Sequence, residues 1–118
     1  MSYYTYYNLR VKGIHSETEY KKVADKLREL DVLNYALVED TYIPGSNIQH
    51  FSSYEDVNWF SSSVDMREVS KAFPKMVFEL TGEGEDPSDL WKTYYQNGKA
   101  EFCQAEVHYP SPVTIKWE

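Results

Sequence analysis

Basic residues are scarce in this sequence, and their scarcity excludes the usual way in which proteins bind nucleic acids. The 118 residues include 12 Lys and Arg against 19 Asp and Glu, which gives a net charge of −7. Residues 1–31 hold six basic and five acidic residues, whereas the rest of the chain holds six basic and fourteen acidic residues. Such a surface repels a phosphate backbone, so we expect no direct contact with nucleic acid. It attracts basic protein surfaces instead.

Cysteine and long apolar segments are also rare. Cys103 is the single cysteine, which excludes an internal disulfide and is typical of a reducing compartment. The chain shows neither the pattern of a signal peptide nor a run of about 18 apolar residues. We therefore expect a cytoplasmic protein without membrane contacts. At this length, residues 1–118 should form a single domain with its own core.

Patterns typical of catalysis, cofactors and metals are missing as well. The three histidines are far apart in sequence and have no cysteine or acid at ligand spacing; they are His15, His50 and His108. Gly82 and Gly84 lack the third glycine and the helix of a dinucleotide-binding loop. The acids around them do not have the spacing of an EF-hand. We expect no catalytic residue, no metal and no cofactor, although an enzyme with a site dispersed over the fold stays open.

Hydrophobic periodicity predicts an α+β fold. The predicted elements, in chain order, are a strand at 3–12, a helix at 16–30, a strand within 33–42, an ambiguous strand at 57–60, a helix at 63–73, a strand at 76–81 and a hairpin of 90–96 with 99–108. Ser16 and Glu19 form a capping box, Ser63 or Asp65 is expected to cap the second helix, and Pro74 ends it. The most economical arrangement is a ferredoxin-like sandwich, with a mainly antiparallel sheet and two helices on one face.

The Asn97-Gly98 turn predicts a tight hairpin. The predicted cross-strand pairs are Gln96 with Lys99, Tyr95 with Ala100, and Thr93 with Phe102. One face would then carry Leu90, Tyr94, Cys103 and Ala105, and the other Trp91, Thr93, Tyr95, Ala100 and Phe102. We expect the helices to cover the first face, with a packed Cys103 thiol, and to leave the aromatic rings of the second face outside. In the alternative, the C-terminal segment or residues 48–62 fold over those rings and bury them.

A loop between the last predicted strand and the hairpin is the most acidic part of the chain. Five carboxylates lie from Glu79 to Asp89, and neither Lys nor Arg occurs between Lys75 and Lys92. We expect a flexible loop that projects a negative field toward a partner. A solvated turn that only keeps the sheet edge soluble is the alternative.

Several rare sequence pieces occur in a fixed order within residues 57–104. They are Trp59-Phe60, Asp65-Met66, Phe73-Pro74, Gly82-Glu83-Gly84-Glu85 and the hairpin from Trp91 to Asn97-Gly98-Lys99. This pattern resembles a family of small uncharacterised proteins from bacteriophages and mobile elements. The opening strand with Gly13 also resembles ferredoxin-like domains of phage and plasmid proteins. The resemblance implies a fold and a host-cell setting, but no activity.

These features favour a non-enzymatic protein that acts by protein–protein binding. The predicted partner-binding residues are Glu83, Glu85, Asp86, Asp89, Trp91 and Tyr95. The expected partner is a basic surface of another protein. The resemblance to phage proteins implies, by analogy, that this partner is a nucleic-acid-binding defence enzyme of the host and that the chain is an anti-defence inhibitor of the anti-CRISPR type. The alternative is a homo-oligomeric structural or regulatory module, such as a homodimer, without inhibitory activity.

Overall fold

A computed structural model of the protein describes residues 4–33, 35–53, 59, 61–86 and 89–105. The elements are β1 (Thr5–Lys12), α1 (Glu17–Glu29), β2 (Leu37–Glu39), β3 (Ile48–Ser53), α2 (Ser62–Ala72), β4 (Val77–Gly84), β5 (Leu90–Gln96) and β6 (Lys99–Gln104). The strands form one antiparallel sheet in the order β2-β3-β1-β4-β5-β6. The predicted α+β class is confirmed, and the arrangement is compatible with a ferredoxin-like sandwich.

The first strand forms the middle of this sheet. Its alternation is as predicted, with one buried face made of Thr5, Tyr7, Leu9 and Val11. Leu9 pairs with Phe51 of β3 on one side and with Leu80 of β4 on the other, and all three side chains are fully buried. Because neighbouring residues across a sheet share a face, these pairs place the core on one side of the sheet.

The first helix begins and packs as its sequence predicts. The backbone amide of Glu19 donates to Ser16 Oγ over 3.1 Å, and the amide of His15 donates to Glu19 Oε1 over 2.9 Å. Its apolar stripe is buried, and the ring of Tyr20 stacks on Phe51 with 5.0 Å between centroids. Helix α1 therefore covers the β3 and β1 side of the core.

The second helix begins differently from the prediction. Its N-cap is Ser61 rather than Ser63 or Asp65, and the Ser61 side chain makes no hydrogen bond to the helix backbone. The hydroxyl of Ser61 and the indole Nε1 of Trp59 both donate to Asp65 Oδ2, each over 2.8 Å. The Asp65 carboxylate is thus engaged by side chains, which explains why it does not act as a cap.

The middle of the chain also departs from the prediction. The strand lies at Ile48–Ser53, where Gln49 and Phe51 face the core, and the buried Gln49 amide is satisfied by backbone groups of Ile43 and Ser46. The sequence shows little apolar alternation here, because one of the two inward side chains is polar. Of the alternative strand at 57–60, only Trp59 is described, and it is buried outside any strand.

The hairpin has the predicted register but the opposite orientation. All three predicted pairs occur, and Asn97 and Gly98 have the positive φ angles of +49° and +79° that a tight hairpin turn needs. The face that carries Trp91, Thr93 and Tyr95 lies under α2, whereas Leu90, Tyr94, Cys103 and Ala105 are exposed. The prediction of an inward Cys103 face is therefore wrong. Residues 106–108 of the predicted strand lie outside the described residues.

Burial of Tyr20 gives the fold a dependence on alkaline pH. Burial, with help from the carboxylates of Glu39 and Asp40, raises the pKa of Tyr20 to about 12 from 10.0. Below pH 10 the phenol is protonated in both the folded and the unfolded chain. As the pH rises from 10 to 12 the unfolded chain loses this proton first, so we expect folding to lose about 2 kcal/mol of stability.

Urea unfolding at about pH 9 and about pH 11.5 measures this loss. Tyr20→Phe should give a smaller loss of stability between the two pH values than the parent protein, although the variant starts lower because the 2.7 Å hydrogen bond from the Tyr20 hydroxyl to the Asp40 carbonyl is removed. The same loss in both proteins would show that this phenol is not the titrating group.

Candidate functional site

The acidic segment begins as the end of a strand, whereas a loop was expected from Gly82 onward. Gly82, Glu83 and Gly84 belong to β4, where they pair with Tyr7, Tyr6 and Thr5 of β1. The turn that follows is closed by backbone hydrogen bonds, in which the Gly84 amide donates to the Asp89 carbonyl over 2.9 Å and the Asp89 amide donates to the Asp86 carbonyl over 2.8 Å.

Four of the five predicted carboxylates lie at this end of the sheet. Glu83, Glu85 and Asp86 are exposed and Asp89 is half-buried. Glu85 Oε1 accepts a hydrogen bond from the backbone amide of Tyr4 over 3.1 Å, which ties the turn to the start of β1. These four carboxylates, which are close in sequence, therefore lie at the same end of the sheet.

Glu79 does not belong to this cluster. It lies in the middle of β4 on the sheet face away from the helices, and its side chain is only 4% exposed. The nitrogens of Arg10, Lys12 and Lys92 lie 3.8 to 4.0 Å from its carboxylate oxygens. Its charge is thus compensated within the sheet, and it contributes little to the field of the acidic turn.

Trp91 lies directly on the backbone of β4. A Cβ built on Gly82 would come within 2.2 Å of the Trp91 indole ring, so only a glycine permits this packing. The ring also contacts Tyr7 and Phe102 edge-on or tilted, with 6.0 Å between centroids in each pair. Trp91 is half-buried and Phe102 is 62% exposed, so an aromatic surface remains beside the acidic turn.

Tyr95 is not available to a partner. It is 2% exposed on the strand that α2 covers, and burial raises the pKa of its phenol. In the alternative left open by the sequence, the C-terminal segment or residues 48–62 cover the aromatic face. Of these, Trp59 packs edge-on against Tyr7 with 5.2 Å between ring centroids, and residues 106–118 lie outside the described residues. Tyr95 therefore belongs to the core and is not a contact residue.

A pocket that the sequence did not predict lies at the same end of the sandwich. Strand β1 begins, helix α1 ends, helix α2 begins and strand β4 ends at this end. The pocket has a volume of about 330 Å³ and lies where the two helix ends meet; its lining residues are Leu30, Asp31, Tyr35, Trp59, Ser61 and Asp65. Tyr7 packs against Trp59 of the pocket. Burial raises the pKa of the Tyr7 phenol, and the carboxylate of Asp89 in the acidic turn adds to this shift. Tyr7 therefore lies near both the pocket and the turn.

We call this region the acidic end. It is defined by the turn carboxylates and the two pocket carboxylates, namely Glu83, Glu85, Asp86, Asp89, Asp31 and Asp65. The two aspartates of the pocket are far from the turn in sequence and were not candidates for the site. The signal that could have indicated them is topological: α1 runs back along the sheet after β1 and α2 begins after β3, which puts the end of α1 and the start of α2 at the same end of the sandwich as the turn.

The histidines within the described part of the chain occupy different surroundings. His15 is exposed, His50 is half-buried on β3, and His108 lies outside the described residues. No group of three or more potential metal ligands occurs among the residues that the structure covers. A search of the same residues finds no helix with the length and apolarity needed to cross a membrane.

Comparisons with known proteins identify no relative of this chain. Neither a family model, nor a curated protein, nor a solved structure matches the chain. The geometry of the acidic end is therefore the basis for a functional proposal.

The packing of Trp91 on Gly82 can be tested by a double-mutant cycle. Gly82→Ala should destabilise the protein by about 1 to 3 kcal/mol, because the added methyl group must displace the indole. In a Trp91→Leu background the same change should cost less than about 1 kcal/mol, since the smaller side chain leaves room. Urea unfolding of the four proteins gives the coupling energy. Equal costs in the two backgrounds would rule out the packing.

Proposed function

We propose that the chain is a non-enzymatic protein that binds a basic surface of another protein through its acidic end. The observation that carries this proposal is the gathering of six carboxylates and an accessible aromatic surface at one end of the sandwich. A local field of one sign steers an oppositely charged partner and raises its association rate. Buried aromatic contacts then supply most of the binding energy.

Two of the turn carboxylates, Glu83 and Glu85, are available for this role. Among the described residues, neither Glu83 nor Glu85 is paired with a lysine or arginine, whereas exposed acids of the helices are paired along their own helix, as Glu17 is with Lys21 and Asp25 with Arg28. Unpaired carboxylates keep their full field and lose no existing ion pair when a cationic partner approaches. Glu83 and Glu85 thus differ from these paired acids of the helices.

The contact surface next to these charges consists of Trp91 and Phe102. Trp91, a predicted contact residue, is partly exposed at this surface. Tyr95 is buried, and the exposed aromatic side chain next to Trp91 is Phe102 instead. Because Gly82 and Tyr7 hold the Trp91 ring in place, little side-chain entropy is lost when a partner covers it. An anchored aromatic ring at the same end of the sheet as the acidic turn is a combination that suits a basic protein surface with an apolar patch.

The fold and the motifs support a more specific form of the proposal. The order β4-β1-β3-β2, with helices after β1 and β3, is compatible with a ferredoxin-like domain to which β5 and β6 are added. Together with the phage-like motifs, this supports a phage or mobile-element protein in the host cytoplasm. In this form, the acidic end occupies a basic nucleic-acid-binding surface of a defence enzyme, as an anti-CRISPR-type inhibitor would.

Two variants with equal net charge test the location of the binding surface. E83Q/E85Q/D86N/D89N neutralises the turn, and its amides keep the oxygen acceptors. E17Q/D25N/E68Q/E101Q neutralises four exposed acids elsewhere and serves as the control. Each tagged protein is used to capture partners from host lysate, and the association rate of each protein with the captured partner is then measured at several salt concentrations.

We expect the turn variant to associate at least about tenfold more slowly than the parent chain, with a weaker salt dependence, and the control to associate nearly normally. Equal rates for the two variants would contradict the proposal. Recovery of an untagged copy of the chain itself as the captured protein would favour the homo-oligomeric alternative, for which the exposure of Phe102 on β6, at the end of the described sheet, is the supporting observation.

A further inference from the structure

The pocket at the acidic end combines an aromatic wall with two carboxylates. Tyr35 is 57% exposed and forms one side, while Trp59, at 3% exposure, closes the pocket toward the core. The pocket of about 330 Å³ is open to solvent and is large enough for one long side chain, but not for a strand or helix. Its walls are mainly apolar, and its charged groups are both acidic.

The two aspartates lie in different local structures, and among the described residues only the carboxylate of Asp65 is held by side-chain hydrogen bonds. Asp31 follows the last turn of α1 with a φ of +59°, and its amide donates to the Arg28 carbonyl over 3.0 Å. Asp65 lies in the first turn of α2, where Oδ2 accepts the bonds from Trp59 and Ser61. No hydrogen bond to Asp65 Oδ1 occurs among the described residues, so this oxygen can accept from a ligand.

The electrostatics of the pocket favour a cation. The negative end of the α1 dipole lies next to Asp31, and Asp65 offsets the positive end of the α2 dipole. A tyrosine ring face attracts a cation that lies over it. A neutral apolar ligand would fill the volume but would compensate neither of the two negative charges.

We infer that this pocket receives a single basic side chain, specifically an arginine, from the partner protein. The inference rests on the proposed function, because it assigns one residue of the basic partner to one place on the acidic end. Arginine suits the pocket better than lysine, since the planar guanidinium can stack on Tyr35 and donate to Asp31 and Asp65 at the same time.

The experiment uses a small probe in place of the unidentified partner. Nα-acetyl-arginine amide is titrated into the full chain, and Nα-acetyl-citrulline amide, which has nearly the same shape without the charge, is the matched control. The readout is the indole N–H signal of Trp59 in a nitrogen–proton correlation spectrum. The indole signals of the other two tryptophans, Trp91 and Trp117, serve as internal references.

We expect saturable displacement of the Trp59 signal by the arginine probe and at most weak displacement by the citrulline probe. Asp31→Asn and Asp65→Asn should each weaken arginine binding about two- to fivefold. Asparagine tolerates the positive φ at residue 31 and keeps the acceptor for the Trp59 indole at residue 65, so both variants should fold. Asp25→Asn, on the exposed side of α1, makes the same charge change and should leave the affinity unaltered.

Equal displacement by both probes, or equal weakening by all three variants, would overturn the assignment of the pocket. This failure is distinct from failure of the proposed function, which is decided by the turn variant and its captured partner. If the pocket assignment fails while the turn variant still loses its partner, binding at the acidic end stands without an arginine-specific pocket.

Discussion

The close packing of Trp91 on Gly82 is the contact on which the arrangement of the acidic end depends. It places one face of the hairpin against the helix side of the sheet, because the indole lies on β4 where any other residue would carry a side chain. Tyr7 and Phe102 then pack around the same ring. With this face turned inward, Tyr95 enters the core under α2 and Cys103 turns to solvent.

The sequence predicts local features of this fold well. The Asn97-Gly98 turn specifies the hairpin register because the turn geometry allows little choice, and the capping box at Ser16 specifies the start of α1. The orientation of the hairpin is harder, since both of its faces carry apolar side chains and period-two alternation alone favours neither. Gly82 indicates the orientation of the hairpin, because a glycine opposite a tryptophan on the neighbouring strand leaves room for the indole ring on that face.

In the candidate site, too, local features could be predicted from the sequence and long-range contacts could not. The turn carboxylates are neighbours in sequence, so their cluster could be predicted, although Glu79 had to be separated from it once its three cationic neighbours were visible. Asp31 and Asp65 line the same pocket because the end of α1 meets the start of α2. The positions of these helix ends depend on the strand order. Residue patterns in one sequence report such long-range contacts poorly because they depend on how whole elements are connected.

The most direct test of binding through the acidic end is a footprint of the complex. Hydrogen exchange of the backbone amides is compared between the free chain and the chain bound to its captured partner. The account predicts slower exchange in the bound chain at Glu83, Glu85 and Asp86 of the turn and at Asp31 and Asp65 of the pocket, with little change at the Asn97-Gly98 turn at the opposite end. Slower exchange confined to the opposite end, or to the Arg10, Lys12 and Lys92 face of the sheet, would contradict it.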